Sequence, residues 1–523
     1  MKKIIYILCT VLASNFLTSC GDDFLETQPT DQTSGTIIFK DAKSAETAIN
    51  GIYGLLYKGT YVSGNIDQGY GYPASMICQD IMGEDMVQMD FGWFGFDYEL
   101  SDSKRFSSTA TRPYYYWNMN YTIISNCNYI TAQDGQIAGD QNLAKSVVAQ
   151  AYTMRAWAYF NLIQIFQQTY IGNEQNKGVP LYTEPVRAGS KGKGRGTVEE
   201  VYTQINNDLG RAIALFTEIG KPKQTHCSNV DYYVANAVKA RIALVQNQWE
   251  AAYNAAKEAL QGTDTPVMSS TELASGMNSK KISSVLWAME IIPDQSPRVG
   301  FGSYFNHMDG RGPYGKDFRK CISNWLYNQL PAVDLRKQNW WLDNSHGNAY
   351  TGVEVNYGQI KVRANETSSW SGDVIFTRGE EMILIQAEAK CRLKLYKEAK
   401  DLLKILMAKR YSDGGESYNS KLEGLTQTDV LSSNTTNAPT TLLDEIILQR
   451  RVELWGEGFR ILDLLRLKQG YSRNWTGTNH KEILPNAKIK TDVYPCTDFI
   501  MLIPQSEFNG NPEMNPSIDQ NPI

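Results

Sequence analysis

Hydrophobic positions recur along the chain in blocks with helical spacing. In "SVVAQAYTMRAWAYFNLIQIF", Val148, Tyr152, Tyr159, Leu162 and Phe166 fall three, four or seven residues apart and form one stripe. In "RGEEMILIQAEAKCRL", Met382, Ile385, Ala389 and Leu393 do the same. The stretches 114–130 ("YYYWNMNYTIISNCNYI") and 197–216 ("TVEEVYTQINNDLGRAIALF") predict further helices. The second opens on Thr197, a good N-cap, with Glu200 three residues on to complete a capping box. A last helical pair is predicted over 442–468, broken at Gly456 and Gly458. Between these blocks lie 59–111, 263–378 and 411–440, rich in Gly, Asn, Ser, Asp and aromatic residues. Loops this long are uncommon unless functional or disordered, and their ring content argues against disorder. They are expected to be loops and short strands carried on one side of the helices.

Two blocks repeat each other. "ARIALVQNQWEAAYNAAKEAL" (240–260) and "AEAKCRLKLYKEAKDLLKILM" (387–407) each read as helix, turn, helix. An aromatic opens each second helix, Trp249 and Tyr396, and an alanine follows three residues later, Ala252 and Ala399. Small residues let paired helices approach closely. This resembles the tetratricopeptide pattern, whose helix pairs stack into a superhelix. The expected fold is mainly α: a tetratricopeptide-like helical repeat scaffold with long loop-rich insertions and a few short strands.

The N-terminus changes where such a scaffold is expected to sit. Lys2 and Lys3 precede the apolar "IIYILCTVLASNFL", too short to span a membrane comfortably. It ends in "LTSC", Leu17 to Cys20, which resembles a bacterial lipobox. That resemblance implies cleavage before Cys20 and acylation of Cys20; several acyl chains anchor far more firmly than one. Residues 1–19 then form a lipoprotein signal peptide, and 20–40 the lipidated cysteine with an extended, Thr-rich tether. The six cysteines that remain are scattered, with no CxxC, and suggest neither a metal site nor a disulfide framework. The formal charge of -5 argues against nucleic acid as a partner.

The chain resembles the SusD/RagB outer-membrane lipoproteins of Bacteroidetes from end to end. "GDDFLETQPT" after Cys20, "IFKDAKSAETAINGIYGLLY", "AQAYTMRAWAYFNLIQIFQQTY" with "GVPLYTEP", "GTVEEVYTQINNDLGRAI", "EIILQRRVELWGEGFRILDLLR" and "LIPQSEFNGNPEMNPSIDQNP" occur in the family's order. The resemblance implies an N-terminal SusD-like helical repeat part (41–262) and a C-terminal RagB/SusD part (263–523) that carries the ligand-binding insertion. It implies a surface-facing, lipid-anchored lipoprotein of the outer membrane that captures an oligosaccharide. It further implies delivery of that glycan to a SusC-like TonB-dependent transporter, with no bond chemistry and no cofactor. Peptide capture within the same family is the alternative, and a surface glycoside hydrolase the alternative of a different class. The acidic pair Asp22 and Asp23 resembles the family's surface-export signal, with Gly21 intervening.

Such proteins typically bind glycans on an arc of loop aromatics, because a flat ring buries the apolar C–H face of a sugar and leaves its hydroxyls free for polar partners. "FGWFGFDY" offers Trp93 as the first candidate, with Phe94, Phe96 and Tyr98 beside it and Asp97 or a neighbouring Asn as a hydroxyl partner. At most two or three of its rings are expected outside, since five would invite aggregation. "NWWLD" offers Trp340 and Trp341; as a strand it would bury one and expose the other. Tyr304 with Phe305, and Trp370 more weakly, complete the set. For any single ring, packing in the core is at least as good an expectation.

Other chemistries find little support. The run Gly189 to Gly194 has the outer spacing of a phosphate loop, but Arg195 and Gly196 replace its lysine and hydroxyl residue. His226, His307, His346 and His480 are isolated, and neither HExxH nor GxSxG occurs. The charges of "RRVELWGEGFRILDLLR" are expected to form a structural network, with Arg460–Asp463 and Asp463–Arg466 each three apart on one helix face.

Overall fold

The computed structural model describes residues 39–57, 69–100, 107–292, 303–343, 355–432, 434–480, 490–491 and 493–522. Cys20, the signal segment and the tether lie outside the described residues. Eleven helices form the frame: α1 (Ala42–Leu55), α2 (Tyr72–Ile81), α3 (Thr111–Thr131), α4 (Gln141–Phe166), α5 (Val198–Glu218), α6 (Tyr232–Val245), α7 (Trp249–Leu260), α8 (Gly379–Arg392), α9 (Tyr396–Met407), α10 (Leu442–Glu453) and α11 (Arg460–Arg466). They pack in succession, α3 on α4, α4 on α5, α6 on α7, α7 on α8 and α8 on both α9 and α10. The strands are short: β1 (Met86–Gln88), β2 (Lys177–Pro180), β3 (Arg195–Thr197), β4 (Val285–Met289), β5 (Lys320–Ile322) and β6 (Val374–Arg378). They pair as three separate antiparallel ladders, β1–β5, β2–β3 and β4–β6. The mainly α, repeat-built fold expected from the sequence is the one observed.

The two copies of the repeat turn in the same way. Asn247 and Lys394, two residues past the first helix of each pair, have φ of 56° and 63°. The next N–H in each copy reaches back five residues, Gln248 to Ala243 and Leu395 to Lys390, both at 2.9 Å. This is a left-handed helix stop that satisfies otherwise orphaned carbonyls. Ala252 and Ala399 are fully buried where the helices meet. Trp249 packs against the alanine-rich cluster and carries the Arg392 guanidinium of the next pair 5.3 Å from its ring centroid. Thr197 caps α5, its Oγ1 accepting from the Glu200 N–H while Glu200 accepts from the Thr197 N–H.

Buried charges tie the insertions to this frame. Glu453 on α10 accepts from Arg336, Arg378 and Arg410, which lie far apart in the chain. These three cations hold its carboxyl well below the usual range despite burial. Arg336 also forks onto Asp334, so Asp334–Leu335–Arg336 is a built turn. One expected pair is corrected. Asp463 does bind Arg466, but its other partner is Arg450, and Arg460 turns away to Glu84 and Asp85 before β1. Three-residue spacing made the Arg460 pair possible; two carboxylates on a neighbouring segment outcompeted it.

The loop-rich stretches carry more helix than their composition suggests. The whole of α2 lies within 59–111 and is buried on every side. Further single turns occur at Tyr304–Met308, Pro313–Asp317, Asn324–Asn328 and Leu335–Trp340. Pro73 and Pro313 sit in the first turns, where a missing N–H costs nothing.

Candidate functional site

The ladder between β1 and β5 decides which rings meet. Its register pairs Met86 with Ile322, Val87 with Cys321 and Gln88 with Lys320. The Met89 N–H donates to the Arg319 carbonyl at 2.9 Å, extending it by one step. Being antiparallel, the exit of β1 and the entry of β5 lie at one end. Segment 89–96 is therefore brought against segment 312–318.

There, five rings reach the surface in part or in full. Phe91 is 44% exposed, and its ring meets Phe96 edge to face with centroids 4.9 Å apart. Trp93 is half-buried and meets Tyr314 at 5.8 Å and 61°. Phe96, Tyr314 and Phe318 are half-buried too. Gly92 has no room for a side chain: a Cβ would stand 2.2 Å from Cδ1 of Phe318. The glycine lets backbone lie flat on that ring, which locks the two segments together. Asp90, Lys316 and Asp317 are exposed in the same segments.

Beneath the rings lie two unusual polar groups. Lys320 is buried, and its Nζ donates to the Phe318 carbonyl at 2.7 Å. Burial, with no carboxylate bonded to it, pulls its pKa down to about 7. Gln88, its cross-strand partner, donates to the Asp90 carbonyl, while its Oε1 is buried without a partner.

The other proposed rings are placed differently. Phe94 is buried, its backbone left-handed at φ 71°, with its ring against His307 and under the Arg112 guanidinium. Asp97 is buried and occupied by that same Arg112, so it is no hydroxyl partner. Tyr98 is fully buried and its hydroxyl binds His480 Nδ1 at 2.7 Å. His480 Nε2 faces the Glu84 carbonyl at 2.9 Å, so Nε2 donates and Nδ1 accepts. Burial holds that imidazole neutral, with a pKa near 3.

Tyr304 is buried and donates to the Gly456 carbonyl at 2.6 Å, with Phe305 buried beside it. Trp340 and Trp341 are both buried. The expected division, one in and one out, fails because the segment is not a strand. Leu335–Trp340 is a helical turn capped by Asp334, and the chain straightens only at Trp341, so both rings turn inward. Trp340 donates from Nε1 to the Leu273 carbonyl and lies under the Lys361 ammonium. A platform for a sugar needs an exposed face, and Phe94, Tyr98, Tyr304, Trp340 and Trp341 present none. Trp93 and Phe96 keep open surface.

Tyr314 and Phe318 are the rings that sequence reasoning passed over. They sit in "GRGPYGKDF", where the Pro–Tyr–Gly turn before an apolar strand was the available signal. Among the described residues, no cluster of three His, Cys, Asp or Glu is arranged to hold a metal ion. None of the described helices is long and apolar enough to cross a membrane.

Two family descriptions match the chain. One, SusD-like and described as "Starch-binding associating with outer membrane", matches residues 23–258. The other, described as "SusD family", matches residues 328–523. Among solved structures, a SusD-like carbohydrate binding protein from Bacteroides vulgatus is 23% identical with a TM-score of 0.74, covering 93% of this chain and 99% of that one. A SusD superfamily protein from Bacteroides thetaiotaomicron is 21% identical with a TM-score of 0.69, covering 92% and 100%. A laminarin binding SusD-like protein is 18% identical with a TM-score of 0.64, also covering 92% and 100%. No curated protein matches.

Proposed function

The chain belongs to the SusD/RagB family, and from that premise we propose that it captures an oligosaccharide on the ring surface built by segments 89–96 and 312–318. The observation that carries the proposal is the convergence of Phe91, Trp93, Phe96, Tyr314 and Phe318, all with open surface, across one ladder. Trp93 and Tyr314 offer faces for the C–H side of a pyranose, and exposed Asp90, Lys316 and Asp317 offer partners for its hydroxyls. Fold neighbours whose descriptions name carbohydrate or laminarin binding support the choice of a glycan over a peptide. The protein acts by holding its ligand and performs no bond chemistry. An acylated Cys20 anchors it to the outer membrane, facing outward, and it hands the glycan to a SusC-like TonB-dependent transporter.

A glycan array screened with the native chain and with a Trp93→Ala/Tyr314→Ala double variant tests this. Native binding to at least one glycan, lost in the double variant with the fold intact, is the expected result. Binding of peptides alone would select the peptide-capturing alternative, and cleavage of any glycan the hydrolase. Retained glycan binding in the double variant would remove the ring surface from the site.

A further inference from the structure

Behind the contact between Trp93 and Tyr314, two buried rings close a circuit. Tyr314 lies against His307, with centroids 4.7 Å apart and planes inclined at 36°. His307 meets Phe94 edge to face at 5.1 Å. Phe94 follows Trp93 in the chain, and Trp93 meets Tyr314 at 5.8 Å. Ring contacts thus run Trp93, Tyr314, His307, Phe94, and one peptide bond joins the two ends. All three separations lie within the range of about 4.5–7 Å at which aromatic pairs attract. The imidazole is fully buried, whereas Trp93 and Tyr314 keep open surface. Tyr70 also stacks on it, at 5.5 Å and 17°. Phe94 is held in turn by Arg112, whose guanidinium lies 4.9 Å from its centroid and forks onto Asp97.

Two packed turns bring His307 and Tyr314 together. His307 lies on Tyr304–Met308, capped by Ser303, and Tyr314 on Pro313–Asp317. The Tyr314 N–H donates to Asn306 Oδ1 at 3.3 Å. Gly315 approaches the first turn so closely that a Cβ would collide with the Asp309 carbonyl. The backbone under Tyr314 is therefore fixed, and its ring keeps two soft side-chain torsions. The angle the ring takes is then decided by the side chains it rests on, Trp93 at the surface and His307 in the interior. A buried side chain that is cut back leaves space, and its neighbours relax into it in part.

We propose that His307 is a positioning residue of the ring surface. It is buried away from any ligand, and by backing Tyr314 it sets the angle at which that ring and Trp93 are presented to a sugar. The role rests on the reading of these rings as a glycan site. It belongs to the flat ring of His307, so another flat ring of similar size performs it too.

Calorimetric titration of the purified whole chain with a glycan found on the array, alongside crystal structures of the native chain and His307→Ala, tests this. His307→Ala weakens glycan binding at least about tenfold, and His307→Phe restores it to within about threefold of native. Leu403→Ala, in the separate apolar cluster that includes α9, lowers stability in urea and leaves glycan affinity unchanged. In the His307→Ala crystal, which needs no ligand, the Tyr314 ring drops into the vacated space and its centroid moves beyond about 7 Å from that of Trp93. Where His307→Ala does not fold, His307→Leu fills the space without a flat ring and takes its place. Native affinity in the Ala variant, no rescue by Phe, an equal loss in Leu403→Ala, or an unmoved Tyr314 ring overturns the proposal. A native chain that binds no glycan overturns the glycan reading instead, and the crystal structures still decide whether His307 holds Tyr314.

Discussion

Lys320 permits a prediction whose size follows from the structure. Its amine is buried and bonded only to the Phe318 carbonyl, and its pKa falls from 10.5 to about 7. In the unfolded chain the same amine stays protonated until the pH nears its ordinary value. Folding therefore forces out a proton, or buries a charge, wherever the unfolded amine is charged. The cost is fullest below about pH 7 and fades as the pH rises from there toward 10.5. Linkage puts it at about 4 kcal/mol at neutral pH and about 2 kcal/mol near pH 9.

Replacing Lys320 with Met keeps the stem's packing and removes the amine together with one hydrogen bond worth about 1 kcal/mol. Lys320→Met should thus stabilise the protein by about 2–4 kcal/mol near neutral pH and by less than half as much near pH 9. Urea unfolding of both proteins across that range reads the difference directly. Other titrating groups are common to the two and cancel, provided Lys320 does not interact with them. Equal stability at neutral pH, or a difference that does not shrink as the pH rises, would refute a buried, uncharged-leaning amine beneath the rings.

Three further outcomes are expected. Gly92→Ala places a Cβ where the Phe318 ring lies, so glycan affinity should fall at least about tenfold by calorimetry while helical content by circular dichroism is kept. Lys394→Gly relieves a left-handed residue at the repeat turn and should raise stability by about 0.5–1 kcal/mol in denaturant unfolding; a loss would show that the Lys394 side chain matters more than its φ. Cys20→Ala should abolish incorporation of an alkynyl fatty acid and release the protein from the membrane fraction; label retained by the variant would remove the lipid anchor.

The helical frame was legible because its signals are local. The stripe of α4, the Thr197–Glu200 box and the paired Trp249/Tyr396 and Ala252/Ala399 positions each lie within a few residues and fix a helix or a turn alone. The ring surface was only half legible. Trp93 announced itself through its neighbours, yet Tyr314, which completes it, is brought there by a three-residue ladder to a strand more than two hundred positions away. Trp340 and Trp341 show the opposite failure. Alternation is informative only in a strand, and the Asp334 cap made that stretch a helical turn. The same long-range competition sent Arg460 to Glu84 and Asp85, carboxylates that no periodicity within its own helix reveals.

The β1–β5 ladder also splits the ring surface between two parts of the chain. Trp93 lies within a stretch that the family description matches, residues 23–258, whereas Tyr314 and Phe318 fall in the interval before the second matched stretch begins at 328. The two halves of the ring pair therefore sit on opposite sides of a boundary in those matches, joined only by the β1–β5 ladder. Substitutions at Tyr314 or Phe318 would reshape that surface without touching the packing of the stacked helices.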